Sequence, residues 1–469
     1  MKKFLILSIL LNIYLLLNGA NKVKIFGTSK EWANKELQFY KYSDYITYEE
    51  ISLAKTKINN DGNFELVFDI DDTTYIFTNL GIYTAYLYVV PGKDYQVVLP
   101  PYQEKSEAEK LNPYFEPIYV HLGIINADEN DINVLIHMFN DTYSSYFSKY
   151  VIEVMNKSNI NPKQIENDIE KIETPFTLYD YSFFKNYRIY KYALLEHLSF
   201  KDKSVAIAEK YFKNKKILYN NSSYMDLFNQ VFSNFFEFHG RTKEGSKIYA
   251  DININKSYQA LINTLSKNSL FTNNNDLMEL VILKCLYEEF YKDKFSRSGI
   301  LNMIDTIINK TKINEHKKIA LMIKNKITKL LPGYNPPDFN LYDINGQLKN
   351  LSSYKGKYVY LNFCNTASYS CLIEFDLLND IQNRHIDSLI IVTISTDSLF
   401  DSFKQFVKTK GYKWEFLHYG NYPEVLKEYD IRGFPTYFLI DTNGKLLMSP
   451  APSPSEYFEY KFIKLLRKE

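Results

Sequence analysis

"YLNFCNTASYSCLIEF", residues Tyr360–Phe375, runs from an apolar strand into the start of a helix. The strand is "KYVYLNF", and it ends against Cys364. The helix begins at about Ser368 and continues to Arg384, with Cys371 in its first turn. Around this stretch strands and helices alternate. "SLIIVTIST" is a strand, "DSFKQFVKTKG" and "YPEVLKEYDI" are helices, "TYFLID" and "KLLMS" are strands about an "NGK" turn, and "SEYFEYKFIKLLRK" is a last helix. Such alternation predicts an α/β layer with parallel strands through its centre. Pro332, Gly333, Pro336 and Pro337 mark its upstream boundary.

Two other patterns precede it. Residues 21–110 read as β: "NFELVFDI" alternates Phe64, Leu66, Phe68 and Ile70 with Glu65 and Asp69, after an Asp61-Gly62 turn. "TAYLYVVPGKDYQVVLPP" reads as two strands of a hairpin turning at Pro91-Gly92-Lys93-Asp94. An antiparallel β-sandwich is expected. Residues 111–330 read as a helical array, as in "NVLIHMFNDTYSSYFSKYVIEVM", where Leu135, Phe139, Tyr143 and Phe147 recur at helical spacing. Cys285 falls in an apolar helix of this region and reads as a small buried hydrophobe. The expectation is therefore a multidomain chain: signal segment 1–20, β-sandwich 21–110, helical region 111–330 and α/β domain 331–469.

Residues 1–20 have Lys2 and Lys3, an apolar run interrupted by Asn12, and small residues Gly19 and Ala20, the pattern of a secretory signal peptide. Export to the periplasm or cell envelope of a bacterium is expected, with membrane contact only if that segment stays uncleaved. No cysteine near the cleavage point offers a lipid anchor. Lys plus Arg number 56 and Asp plus Glu 55, so no charge excess argues for nucleic acid as a partner. The 41 tyrosines and 33 phenylalanines accompany abundant Asn, Lys and Ile, a bias of composition rather than a binding surface. Three cysteines allow at most one internal disulfide and leave a thiol over.

Several dispersed motifs fall in a familiar order. "PPDFNLYDINGQLKNLSSYKGKYVYLNF" holds Pro337-Asp338-Phe339, an Asn345-Gly346 turn and Lys355-Gly356-Lys357 before the central strand. "YDIRGFPTYFLIDTNGKL" holds Gly433-Phe434-Pro435-Thr436. Over about 140 residues this resembles the thioredoxin fold, specifically the TlpA-like group of exported thiol-disulfide oxidoreductases. The resemblance implies a cis Pro435 and a Cys-x-x-Cys site opening the helix. In that site the first cysteine is the exposed nucleophile and the second resolves the mixed disulfide.

Set on that pattern, Ser368 takes the nucleophile's place, Cys371 the resolving place, and Glu374 that of a family glutamate serving as acid/base partner. A hydroxyl cannot form a disulfide, so exchange by the usual pair is lost. As a residue in its own right, Ser368 is a favoured N-cap whose oxygen would accept a backbone N–H, and Glu374 suits the first turns of a helix. The resemblance also implies that Phe434, Pro435 and Thr436 form a ledge that pairs with an extended peptide. Ser368-Tyr369-Ser370-Cys371 further resembles the Thr/Ser-x-x-Cys of peroxiredoxins, in which the cysteine attacks peroxide. The proline of that pattern is replaced here by Cys364, and Arg432 is offset from its arginine. Cys364 is itself a second thiol, a substitute partner for Cys371 if the backbone brings the two together, and otherwise a small core residue.

The seven histidines are isolated, and no Cys/His cluster, P-loop or Gly-x-Gly-x-x-Gly occurs. No cofactor and no metal are expected. Two functions from different classes follow: a binding or scaffold protein for protein or peptide clients, some bearing thiols, or an active thiol enzyme. The latter would work as a peroxidase through Cys371, or as an oxidoreductase through Cys364 and Cys371.

Overall fold

The computed structural model describes residues 21–157, 160–199, 204–420 and 424–467. The signal segment expected at 1–20 lies outside them. The chain forms two compact units. One comprises residues 1–104 and 117–324, and the other residues 105–116 and 325–469. Residues 105–116, read from the sequence as the junction of a β and a helical domain, thus group with the C-terminal unit.

The first unit begins with a β-sandwich. One sheet has the order β4-β1-β7-β9, from β4 (Asn63–Asp69), β1 (Lys22–Thr28), β7 (Asp94–Val98) and β9 (Gly123–Ile124). The other has the order β3-β2-β5-β6-β8, from β3 (Glu50–Lys57), β2 (Glu36–Tyr42), β5 (Thr74–Leu80), β6 (Tyr83–Val89) and β8 (Ile118–His121). In β4 Phe64, Leu66 and Phe68 are buried while Glu65 and Asp69 face water, so the period of two decides which face packs. The pairing is mostly antiparallel, with β1·β7 and β6·β8 parallel.

The hairpin expected at Pro91–Asp94 does not form. Gly92 takes the positive φ of a turn (+77°), but the turn carries the chain across the sandwich. β6 stays with β5 and β8, while β7 joins β1 and β9. Leu87 and Val89 on one sheet and Tyr95 and Val97 on the other then bury against the same core.

Asn133 ties the helical part of this unit to the sandwich, beside other side-chain bonds such as Asn229 to the Tyr45 carbonyl (2.6 Å). Helix Ile132–Met155 starts at Asp131, whose carboxylate accepts the Asn133 N–H. The Asn133 amide accepts from the Tyr88 N–H (2.7 Å) and donates to the Tyr88 carbonyl (2.8 Å), completing the backbone pairing of β6 on the side where β8 has ended. The Tyr88 ring packs among helix residues Ile132, Leu135, Phe139 and Tyr187. As expected, Cys285 is buried, and burial pushes its thiol pKa up.

Asp168, on helix Pro162–Glu173, accepts from the Tyr150 hydroxyl (2.8 Å), Lys149 (3.0 Å) and Lys171 (2.9 Å). Burial pushes its carboxyl up, but the hydrogen bonds from Lys171, Lys149 and Tyr150 outweigh that and hold it at about 2. An unfolded aspartate titrates near ~3.9. The native chain therefore binds fewer protons, and this contribution is complete above about pH 4 and lost as the pH falls toward about 2. Asp168→Asn is expected to lower stability at neutral pH and flatten the acid limb in that window, as read by denaturant titrations at stepped pH.

The second unit is a seven-stranded sheet in the order β11-β10-β14-β13-β12-β15-β16. Its strands are β10 (Leu341–Asp343), β11 (Leu348–Lys349), β12 (Tyr358–Cys364), β13 (Leu389–Ser395), β14 (Glu415–His418), β15 (Thr436–Ile440) and β16 (Leu446–Ala451). The centre, β12·β13 and β13·β14, is parallel, and β12·β15 is antiparallel. Core clusters cover both faces, which is why β12 is almost wholly apolar and buried rather than alternating. The turns are set locally. Asp343 Oδ1 accepts from the Asn345 and Gln347 amides, Asp338 Oδ1 accepts from the Leu351 amide (3.0 Å), and Gly356 supplies a positive φ of 97°. This is the multidomain architecture expected: β-sandwich, helices and a thioredoxin-like α/β layer.

Candidate functional site

Cys364 ends the central strand, and helix Tyr369–Arg384 starts after a loop of four residues. The loop is shaped by Thr396 and Asp397, just past the end of β13. The Cys364 carbonyl accepts the Thr396 amide (2.8 Å), and the Asn365 side chain donates to the Thr396 carbonyl (3.0 Å) while accepting from the Ala367 amide (2.9 Å). Thr366 donates its amide to Asp397 (3.1 Å), and its hydroxyl also bonds that carboxylate. The chain is thereby turned back on itself, and Cys371 comes under the end of β12.

Ser368 stands at the N-cap with extended backbone (φ −86°, ψ 115°), and its carbonyl accepts the Cys371 and Leu372 amides. Its hydroxyl makes no capping bond, contrary to the expectation from residue type. It lies close enough to the Cys371 thiol to favour its anion.

Cys371 is 1% and Cys364 2% exposed, so neither sulfur is open to a macromolecule. Both thiols are free and lie in one buried cluster, close enough for each to shift the other's ionisation. Cys364 is the largest influence on Cys371. Burial opposes it, and the Asn365 amide (3.4 Å) and the Ser368 hydroxyl act with it, so the Cys371 pKa is lowered. The N-terminal turn of the helix favours the same anion. Burial first, then Cys371 itself, pushes Cys364 well up. The pair thus has one sulfur disposed to ionise and one disposed to keep its proton.

The other residues singled out from the sequence divide into near and far. Glu374 is buried, but its carboxylate is taken by Ser455, accepting the amide (3.1 Å) and the hydroxyl, so it is neither an open acid/base group nor a free first-turn charge. The Phe434–Pro435 peptide bond is cis. Phe434, Pro435 and Thr436 are half-buried, and Thr436 pairs with Phe363, one residue before Cys364, so these three residues lie beside the thiols. Arg432 is exposed and its guanidinium lies on Asp430 (3.0 Å), not on a sulfur.

One residue escaped the sequence reading. Tyr437, next along β15, is 3% exposed, and its hydroxyl has no hydrogen-bond partner. Burial pushes its pKa up, with the charges of Glu374, Cys364 and Cys371 adding to it. Only the pairing of β15 with β12 brings it there, which no spacing in the sequence signals.

Among the described residues no cluster of His, Cys, Asp or Glu fits a metal ion, and no helix is long and apolar enough to cross a membrane. A cavity of about 540 Å³ in the first unit is lined by Tyr48, Tyr143, Tyr187, Lys191, Asp226 and Asn229, among others, and offers no thiol.

Residues 332–448 match the AhpC/TSA family. The chain is 30% identical over 123 residues to the thiol-disulfide oxidoreductase ResA of Bacillus thuringiensis subsp. konkukian (strain 97-27), covering 26% of this chain and 70% of that one. It is also 30% identical over 137 residues to the ResA of Bacillus subtilis (strain 168), covering 29% and 75%. A solution structure of a thiol:disulfide interchange protein from Bacteroides sp. is 24% identical, with a TM-score of 0.28, over 30% of this chain and 93% of that one.

Proposed function

Because this chain belongs to the thioredoxin-fold proteins of the AhpC/TSA family and is related to the ResA thiol-disulfide oxidoreductases, we propose that it is an exported, client-binding member of that group. In this reading Ser368 holds the nucleophile's position, and the usual dithiol exchange is absent. The single observation that carries the reading is the contrast at the helix start: half-buried Ser368 is at the surface, while the only sulfur of the motif, Cys371, is 1% exposed. A client disulfide meets a hydroxyl where attack would require a thiolate. The ledge at Phe434, Pro435 and Thr436 remains available to an extended peptide, whose backbone would pair beside β15. Export to the bacterial envelope belongs to the same proposal, through residues 1–20.

The test measures two properties of the full chain. Reduction of insulin disulfides by dithiothreitol should proceed no faster with it than without it. Binding of an unfolded, alkylated polypeptide, read by fluorescence anisotropy, should weaken at least about tenfold in Thr436→Arg, a loss of about 1.4 kcal/mol, with thermal stability unchanged. Catalysed insulin reduction, or full affinity in the variant, would overturn the proposal.

A further inference from the structure

Client binding at the C-terminal unit leaves a cavity of the first unit without a role. We propose that this cavity, of about 540 Å³ between the sandwich and the helices, is a binding site for a neutral oligosaccharide. It stands apart from the client-binding reading, which concerns the other unit.

Four elements build the site. Helix Ile132–Met155 contributes Asn140, Tyr143 and Phe147, which share one helical face. Helix Ser182–Ser199 contributes Tyr187 and Lys191, and helix Ser222–Val231 contributes Asp226 and Asn229. The last wall is Tyr48, from the loop between β2 and β3. Asp44 holds that loop, its Oδ1 accepting the Ile46 (2.8 Å) and Thr47 (2.7 Å) amides. Tyr48 follows at a φ of +53°, a backbone that a tyrosine seldom takes. Its ring is 42% exposed and so stands at the opening of the cavity.

The polar groups that the walls leave unmet define the ligand. The Tyr187 hydroxyl donates to Asn140 Oδ1 (3.1 Å), and the Asn140 Nδ2 donor stays unused. Asn229 Nδ2 donates to the Tyr45 carbonyl (2.6 Å), and the Asn229 Oδ1 acceptor stays unused. Lys191 and Asp226 face each other at 3.8 Å, too far for a hydrogen bond, and neither side chain has a closer polar partner among the described residues. Lys191 Nζ lies instead over the Tyr187 and Tyr143 rings, at 5.5 and 5.9 Å from their centroids. Burial pushes the Asp226 carboxyl pKa up, with Lys191 opposing it. Two donors and two acceptors thus converge on one space, and their formal charges cancel.

Hydroxyl groups suit that set, because each one both donates and accepts. A ligand ammonium on Asp226 would lie beside the Lys191 ammonium, and a ligand carboxylate on Lys191 beside Asp226. Like charges therefore count against an amino acid or a peptide terminus. An aliphatic ligand would leave the couple desolvated and unbonded. A sugar avoids both costs, and its C–H groups suit the ring walls, whose faces carry the negative part of the aromatic quadrupole. The volume falls within the range of about 300–1,000 Å³ usual for small-molecule sites. The abundance of tyrosine alone carries no such meaning; the convergence of Tyr48, Tyr143 and Tyr187 on unmet polar groups does.

The experiment titrates the full chain with maltotriose, cellotriose and triacetylchitotriose by calorimetry. At least one should bind with a Kd of about 1 mM or tighter. Its affinity should fall at least about tenfold in Asp226→Asn, which removes the charge at nearly constant shape, and in Tyr48→Ala, at the exposed rim. The tripeptide Gly-Tyr-Gly, with both termini charged, should neither bind nor compete. If a variant loses its fold, sugar-induced slowing of hydrogen exchange in the unaltered chain locates the site instead, and it should fall on Asn140–Phe147 and Asp226–Gln230. Three sugars that do not bind, full affinity in both folded variants, protection confined to other segments, or a tripeptide that binds as tightly as the best sugar would each overturn the proposal.

Discussion

Ser368→Cys is expected to convert the chain into a dithiol catalyst, raising insulin reduction by on the order of 100-fold over dithiothreitol alone, where the unaltered protein adds nothing. The reasoning is geometric. Position 368 has the extended backbone of an N-cap, lies half-buried between exposed Ala367 and Tyr369, and binds the Cys371 amide through its own carbonyl. A sulfur placed there would sit at the positive end of a helix of sixteen residues, which favours a thiolate. Cys371 stands one turn further in, with its sulfur already close to the position 368 side chain. Cys364 would compete for Cys371, so the double variant Ser368→Cys, Cys364→Ser should be at least as active. A folded variant with no turnover would sink the assignment of position 368.

Tyr360→Ala is expected to be the most damaging single change in the C-terminal unit. Tyr360 is fully buried, stacks on Phe458 with centroids 3.6 Å apart and on Tyr437 at 5.1 Å, and donates its hydroxyl to the Pro452 carbonyl at 2.6 Å. Truncation removes the ring that joins β12, β15 and the last helix. The cost is about 3–5 kcal/mol for the cavity, with an unpaired carbonyl in addition. For a unit of this size the melting temperature should drop by on the order of 10 °C. Tyr360→Phe keeps both stacks and should cost only about 1 kcal/mol. Calorimetry on the three proteins gives the comparison, and equal losses in the two variants would mean that the hydroxyl, not the ring, holds the unit together.

The fold was most legible where one local rule governed a whole element. Phe64, Leu66 and Phe68 marked a strand with one buried face, and the unbroken apolar run of β12 marked a strand buried on two. Legibility failed where a local signal left the partner open. Pro91-Gly92 announced a turn correctly, but a turn does not say which sheet receives the next strand. The site divides in the same way. The helix start at Ser368 and the cis bond before Pro435 were visible as motifs. The nearness of Cys364 and Cys371 was not, since it depends on Thr396 and Asp397, just past the end of β13 and some thirty residues away, bending the loop. Glu374 matched a position, yet its carboxylate belongs to Ser455, which no motif announces.

Residues 105–116 belong to the second unit although two hundred residues of the first follow them. Leu111 packs on the C-terminal core, and Tyr114 meets Arg432. On the ribosome this piece emerges roughly 10–40 s before the segments it packs against, at about 5–20 residues per second. The C-terminal unit is then the last to be completed and must wait for the whole chain, with Leu111 uncovered until that moment. A protein released early would carry a finished sandwich and an exposed apolar hook, a form that chaperones and proteases can distinguish from the native one.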